Sequence, residues 1–388
     1  MKILFVAPRF PLPPVKGDKV RAWQFIRALA QAHEVTLVSY TASEEERAYV
    51  PEMAHHCNVR VLPFHRARRT LGAAYGALNS HPFQVHYYRS NAMMELVGRE
   101  LETCDVVHLN TLRMVGNLPA TFDKPLVVDF IDALSLGMSR RANRAGGILG
   151  MGMQSETRRL RALEQKLLEQ ADLSIVVGQH DADALGGDSA VIPIGVDTDR
   201  FTPAGQPTAA PIAIFTGNMN YAPNIEAAKW LAESIWPRVV RQCPGATLRL
   251  AGINPAQAVK SLASESIEVT GYVADMAAAL HDAAIAVAPM RSGSGLQIKV
   301  LEAMACGLPV VASSLANAAV GAPHGGVIRI ADETDALAGE IVALLKDEGL
   351  RRQAGAAARE FVETKYSLAS VATNLLTAYR ALDTTPAP

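Results

Sequence analysis

The stretch that most narrows the choice of fold lies late in the chain. Ile285-Ala286-Val287-Ala288 is a short apolar run stopped by Pro289, and a turn follows at Gly293, Ser294 and Gly295. From Leu296 to Cys306 the apolar residues Leu296, Val300, Leu301, Met304 and Ala305 recur at helical spacing. Gly307 and Pro309 end that pattern, and the chain is apolar again to Ser313. Strand, glycine-rich loop, helix, strand is the order from which parallel sheets are built.

The same stretch carries chemistry. Glycines let backbone approach a ligand closely, and a helix start collects unpaired N–H groups at the positive end of its dipole, so an anion such as a diphosphate is favoured there. Lys299 and Glu302 fall three residues apart, near one helix face. A cation nearest the loop suits a diphosphate. A carboxylate one turn deeper suits a pair of vicinal hydroxyls, as an acidic residue does on ribose in dinucleotide folds. The alternative is a Lys–Glu pair on an ordinary surface helix; the flanking glycines and Pro309 weigh toward a ligand site.

The rest of the chain repeats the alternation. Ile3–Val6 reads as a buried strand, followed by a loop with Pro11, Pro13, Pro14 and Gly17 and a helix over about 18–31. Strands at 34–38 and 59–62 flank a helix at 43–56, and strand-like runs return at 106–109, 126–130 and 173–177, the last after a helix at 154–170. Pro82 to Arg89 reads as an aromatic-rich loop. Ligands in open α/β sheets gather outside the carboxyl ends of strands, which makes His108, Asn110, Asp129 and Asp132 candidates. For His108 the alternative is a satisfied sheet-end histidine, and for Asp132 a helix cap. A second series begins at Ile212 to Gly217, with a helix at 224–241 and a strand at 247–252, and Asp275 opens a later helix. Helices at 333–346, 350–363 and about 368–382 close the chain.

With 388 residues, 49% of them apolar, two cores of ordinary size are expected. A formal net charge of -1 supplies no global basic field, so nucleic acid is not an expected partner. Cys57, Cys104, Cys243 and Cys306 are scattered, which argues against a disulfide framework or structural zinc and fits a reducing compartment. The apolar run at Met1 to Ala7 is too short for a signal peptide and no run reaches transmembrane length, so a soluble, cytoplasmic protein is expected. The segment 65–78 has the pattern of a basic amphipathic helix suited to anionic lipid, but four cations in one short segment are common and a solvated face over the domain's own core is the reading to prefer. Asp181-Ala182-Asp183 and Asp197-Thr198-Asp199 have the letters of a metal-binding Asp-x-Asp, but both lie far along the chain from the phosphate signature and read as structural.

The string Glu302-Ala303-Met304-Ala305-Cys306-Gly307-Leu308-Pro309-Val310-Val311-Ala312 resembles the C-terminal signature of glycosyltransferase family 4, E-A-M-A-x-G-x-P-V-V-A, and the first half looks closest to bacterial sugar transferases of exopolysaccharide or exosortase-associated systems. The resemblance implies a GT-B fold: α/β, two doubly wound Rossmann-like domains facing across a cleft. The acceptor-side domain would span 1–190, the linker 191–211 with Gly195-Val196-Asp197 and Phe201, and the nucleotide-sugar domain 212–365, with 366–388 returning to the first domain.

It also implies roles. Arg291 and Lys299 would neutralise the diphosphate; Gly293, Ser294, Gly295, Leu296 and Glu302 would surround the donor, and Gly271 and Tyr272 would lie beside the base. Gly17 would present backbone from the first domain, with Asp132 as the polar candidate near the sugar. Three positions depart from the family pattern. Ser294 stands where a Glu is usual, Asn218-Met219-Asn220-Tyr221 lacks the usual Arg or Lys, leaving Asn218 either to donate to a donor phosphate or to make a turn with Asn220, and Asp129-Phe130-Ile131-Asp132 lacks the usual His. The implied activity is retaining transfer of a hexose from a nucleoside-diphosphate sugar to a glycan or lipid-linked acceptor. No metal or other cofactor is expected, and the protein would sit in the cytoplasm or at the inner face of the membrane. The rival readings are a nucleotide-sugar 2-epimerase on the same fold and a non-catalytic nucleotide-binding protein.

Overall fold

The computed structural model describes residues 1–65, 81–205, 210–293 and 295–383. The chain divides into two compact units, one of residues 1–194 with 371–388, the other Gly195–Ser370.

In the first unit seven parallel strands form one sheet: β1 (Lys2–Ala7), β2 (Glu34–Thr41), β3 (Asn58–Pro63), β4 (Val106–Asn110), β5 (Leu126–Ile131), β6 (Leu173–Val176) and β7 (Ala190–Val191), in the order 3-2-1-4-5-6-7. β1, β4 and β5 are buried along almost their whole length, as expected of strands covered on both faces by helices. Val371, Leu375 and Tyr379 of the last helix, Leu368–Asp383, belong to this unit's core beside Phe5, Phe25 and Ile26.

The second unit holds a six-stranded parallel sheet of β8 (Ile212–Thr216), β9 (Thr247–Ala251), β10 (Ile267–Gly271), β11 (Ile285–Ala288), β12 (Val310–Ala312) and β13 (Arg329–Ile330), in the order 10-9-8-11-12-13. The chain winds outward from β8 through β9 to β10, then returns to lay β11 on the other side of β8. The carboxyl ends of β8 and β11 therefore flank a topological switch point, where open α/β sheets leave a crevice.

Several elements differ from the sequence expectation, each for a local reason. The helix expected over 43–56 is two short ones, Glu44–Arg47 capped by the Ser43 hydroxyl and Val50–Ala54, because Pro51 supplies a helix start rather than a helix interior. The helix expected over 224–241 runs Ala222–Trp230, widens to a π turn at Leu231–Ile235 and resumes at Trp236–Gln242; Pro237 has no N–H for the regular ladder. The aromatic stretch read as a loop forms a helix, Phe83–Tyr88, whose Tyr88 is buried and whose carbonyl accepts from the Tyr40 hydroxyl at 2.9 Å. The helix expected from 154 begins at Gly147. Apart from His65, the basic amphipathic segment lies at 66–80, outside the described residues.

Candidate functional site

The site grows from three glycines at strand ends in the second unit. Gly217 follows β8 and Gly252 follows β9, at φ 150° and 151°, and their backbones touch: a Cβ on Gly252 would lie 1.7 Å from the Gly217 carbonyl oxygen. The Gly217 N–H donates to the Ala251 carbonyl and the Gly252 N–H to that of Gly271, both at 3.0 Å. No side chain fits between these turns, so a shallow floor of bare backbone is left at the switch point.

Onto this floor the helix after β11 projects its lysine. The helix is Ile298–Ala305, starting two residues later than the apolar spacing suggested, with Gln297 rather than any Ser, Thr or Asp at the cap position. Ser294 is outside the described residues; its neighbours Gly293 and Gly295 hold φ of 106° and 88°, values that an L side chain rarely adopts. Lys299 thus lies in the first turn. Its ammonium donates to Asn224 Oδ1 at 2.6 Å and sits 4.5 Å from the centre of the Phe215 ring, and a Cβ on Gly217 would come within 3.2 Å of it. Burial drives its pKa down to about 7, with the Glu302 charge opposing. Glu302, one turn deeper, is driven up to about 7 by the same burial, with Arg200 and then Lys299 opposing. The lysine and the carboxyl are both brought near neutrality by desolvation beside the glycine floor, which makes them the candidate site.

Asn224 is the residue that sequence reading missed. It is buried in the helix Ala222–Trp230, accepts from Lys299 through Oδ1 and donates through Nδ2 to the Asn218 carbonyl at 2.9 Å. It ties the lysine to the loop after β8. The sequence held no clear signal for it, since Asn224 lies in the first turn of its helix, where an Asn is ordinary, and its partner Lys299 is remote along the chain.

The remaining candidates fall into groups. Arg291 stacks its guanidinium on Trp230 at 5.0 Å, and Ser292 donates to Glu226. Asn218 is exposed and its Oδ1 accepts from the Asn220 N–H at 3.0 Å, so it closes a turn. Gly271 ends β10 at φ 71°, and Tyr272 after it is 75% exposed. Leu296 is half-buried against the second unit's core. Asp275 caps the helix Met276–His281, accepting from the N–H groups of Ala277 and Ala278.

At the far end of the lysine helix, Arg359 donates to the carbonyls of Ala305 and Phe201, both at 2.6 Å, and to that of Thr198 at 3.1 Å. One side chain thereby fixes the C-terminus of the helix that carries Lys299 and Glu302.

In the first unit the strand-end candidates separate. Asp129 is locked in a fully buried, two-bond pair with Arg21 (2.7 and 2.9 Å), and Arg21 also donates to the Ile192 carbonyl at 2.6 Å. Asn110 donates to the same carboxylate at 3.4 Å. His108 is buried, stacked on Phe5 at 4.2 Å, and its Nδ1 is 2.6 Å from the Tyr379 hydroxyl; burial pushes its pKa down to about 4. His108 and Asp129 are therefore structural. Asp132 is not a helix cap, since the helix Leu134–Ala145 has Ala133 at that position. Its carboxyl is pushed up to about 6, chiefly by burial and then by Asp181. Gly17 opens the helix Gly17–Leu29, is exposed, and has no positive φ.

The two Asp-x-Asp strings have other occupations. Asp181 accepts from the Ala133 N–H at 3.0 Å, and Asp183 from the Gln179 side chain at 2.8 Å. Asp197 Oδ1 accepts from the N–H groups of Asp199 and Arg200.

A glycine floor, a desolvated lysine in the first turn of a helix and a carboxyl one turn deeper gather at the carboxyl ends of β8, β9 and β11, where open α/β sheets hold their ligands. Comparison with known proteins gives the class. Residues 210–347 match the family model described as glycosyl transferases group 1. The phosphatidyl-myo-inositol mannosyltransferase of Mycobacterium leprae is 30% identical over 236 residues, covering 58% of this chain and 62% of that protein. This chain thus spans less than two thirds of the length of the curated relatives it matches. Two solved structures share the fold over nearly all of both chains. Sucrose-phosphate synthase from Thermosynechococcus elongatus has a TM-score of 0.69 at 19% identity, covering 99% of each chain. HepE of Anabaena, solved with UDP, has 0.66 at 17%, covering 98% of this chain and 100% of that one. The fold is GT-B, and within the second unit residues 210–347 are similar to the group 1 glycosyl transferases.

Proposed function

We propose that the protein is a retaining glycosyltransferase that moves a hexose from a nucleoside-diphosphate sugar to a glycan or lipid-linked acceptor, in the assembly of exopolysaccharide or another cell-surface polysaccharide. The observation that carries this is the placement of Lys299 and Glu302: a desolvated amine in the first helical turn over the bare backbone of Gly217 and Gly252, and a carboxyl one turn deeper. The mycobacterial relative, named for mannosyl transfer to phosphatidyl-myo-inositol, supports a lipid-linked acceptor. HepE, solved with UDP, supports the nucleotide half of the donor.

In this reading Glu302 accepts hydrogen bonds from the ribose hydroxyls. Lys299, Arg291 and the N–H groups beyond Gly293 take the diphosphate. Gly271 and Tyr272 flank the base, and Gly295 and Leu296 line the donor. Transfer breaks the bond between the anomeric carbon and the β-phosphate oxygen, so negative charge grows on the leaving diphosphate. Donors fixed in advance at that position lower the barrier without a metal ion. The departing phosphate oxygen receives the acceptor's proton, and the new glycosidic bond forms on the face it left. Asp132 and the backbone at Gly17 are the first unit's candidates for the sugar and the phosphates. The protein works in the cytoplasm, or peripherally at the inner face of the membrane through 65–78.

The test is product analysis with a nucleotide-sugar panel. Slow release of nucleoside diphosphate, abolished in Lys299→Ala, supports transfer. A new sugar isomer formed from donor alone would replace it by 2-epimerisation, and binding without any turnover by a non-catalytic role.

A further inference from the structure

An exposed apolar tip stands at the far end of a helical hairpin in the first unit. The helices Leu134–Ala145 and Gly147–Gln170 turn back on each other at Gly146 and Gly147, with φ of 61° and 54°. Within the first five residues of the second helix Ile148 is 91% exposed, Leu149 64% and Met151 69%. These three are among the few large apolar side chains that the described residues leave in water, and here they are gathered within four positions. The tip is braced: a Cβ on Gly150 would lie 3.1 Å from the Ala142 carbonyl, so the two helices meet backbone to backbone just beneath it. Further along, Leu160 and Leu167 anchor the second helix in the core.

Along the hairpin between residues 133 and 155 the charge is of one sign. Between Asp132 and Glu156 the only ionisable residues in the sequence are Arg140, Arg141 and Arg144. Arg141 is exposed, and Arg140 is exposed and pairs with His180 at 2.8 Å. A convex tip one helical turn across cannot supply the roughly 800 Å² per partner of a stable protein interface. Insertion of a few apolar side chains below lipid headgroups, with arginines at the level of anionic phosphates, needs no such area.

We infer that Ile148, Leu149 and Met151 insert into an anionic lipid surface while Arg140 and Arg141 engage its headgroups, which gives the protein a membrane anchor separate from 65–78. This rests on the proposed function only in explaining why a sugar transferase would need lipid; lipid binding itself requires no turnover.

The experiment is flotation with vesicles of phosphatidylcholine containing about one third phosphatidylglycerol, and with phosphatidylcholine alone. Wild type should float with the anionic vesicles, less so as salt is raised, since screening acts over about 8 Å at physiological ionic strength. The triple variant I148S/L149S/M151S should lose at least about tenfold in partitioning, as expected for three buried apolar side chains, and R140Q/R141Q should lose the preference for anionic lipid. A single Leu149→Trp variant gives a second readout: the emission it adds to that of wild type should shift to the blue on anionic vesicles. Wild type that does not float, a triple variant that floats equally well, or an unshifted emission from the added tryptophan overturns the inference. A dimer that the triple variant dissociates, with flotation unchanged, would assign the tip to a second copy of the chain instead. Nucleotide affinity, measured in parallel, should be unaltered in every variant; its absence in wild type would count against the proposed function and leave the lipid result standing.

Discussion

Asn224 should set the pH at which Lys299 can hold the donor. Its Oδ1 accepts from the ammonium at 2.6 Å, and its Nδ2 holds the Asn218 carbonyl at 2.9 Å. Asn224→Ala removes one charge-assisted bond, about 1.5–3 kcal/mol, and one neutral bond, about 0.5–1.5 kcal/mol. The first loss acts only on the charged form of Lys299, whose pKa burial has already brought to about 7. If the variant lowers that value by roughly one unit, the charged fraction at pH 7 falls from about one half to about one tenth, and donor affinity drops about fivefold. Above pH 8 the drop approaches about tenfold, and below about pH 5 it nearly vanishes, because only the ammonium binds phosphate. Asn224→Asp places a carboxylate against the amine and should move the same limb to higher pH. The assay is calorimetric titration with a nucleotide sugar, whose diphosphate diester keeps a constant charge across this range. Glu302 titrates nearby, so the series is repeated in a Glu302→Gln background, where the lysine limb stands alone. One pH midpoint shared by wild type and both variants would refute the role given to Asn224.

Other predictions follow from separate features. His108 is buried neutral with its pKa lowered to about 4. The unfolded chain therefore binds its proton first, and stability should be full above about pH 6.5 and fall toward pH 4, by about 3 kcal/mol from this group. His108→Leu should flatten that part of the acid limb in thermal melts, and an unchanged slope would contradict it. Gly252→Ala should destabilise the second unit by about 3 kcal/mol or more, since its Cβ would lie 1.7 Å from a backbone oxygen that no rotamer can move; a urea midpoint equal to wild type would show that the strand ends yield. Activity should survive EDTA if Arg291, Lys299 and helix N–H groups stabilise the leaving diphosphate in place of a cation, and loss of activity restored by Mn²⁺ or Mg²⁺ would refute this.

The layered order of the fold was legible because buried parallel strands leave continuous apolar runs and their helices leave a helical period, as at Ile285–Ala288 and in the helix that follows. Helix interruptions were legible only once Pro51 and Pro237 were weighed as starts, which depends on what packs around them. Lys299 and Glu302 stood out because glycines and Pro309 frame them within one short stretch. Asn224 did not, lying far from Lys299 along the sequence, and no periodicity reports a contact between helices that follow two adjacent strands. Asp129 and Asp132 look alike as letters. Their fates diverge because Arg21, remote in sequence, neutralises the first, while burial beside Asp181 raises the pKa of the second.

The measurement closest to the central claim is thermal melting of wild type and Glu302→Ala across a panel of nucleotide sugars and their nucleoside diphosphates. A ligand at a hundred times its dissociation constant adds about 2.7 kcal/mol, which for a unit of this size raises Tm by roughly 5–10 °C. The account predicts such a shift for the nucleotides of one base, with sugar and without, and its reduction in Glu302→Ala by the equivalent of about 1.5–3 kcal/mol from lost hydrogen bonds to the ribose. No shift with any nucleotide, or an equal shift in wild type and Glu302→Ala, would contradict it.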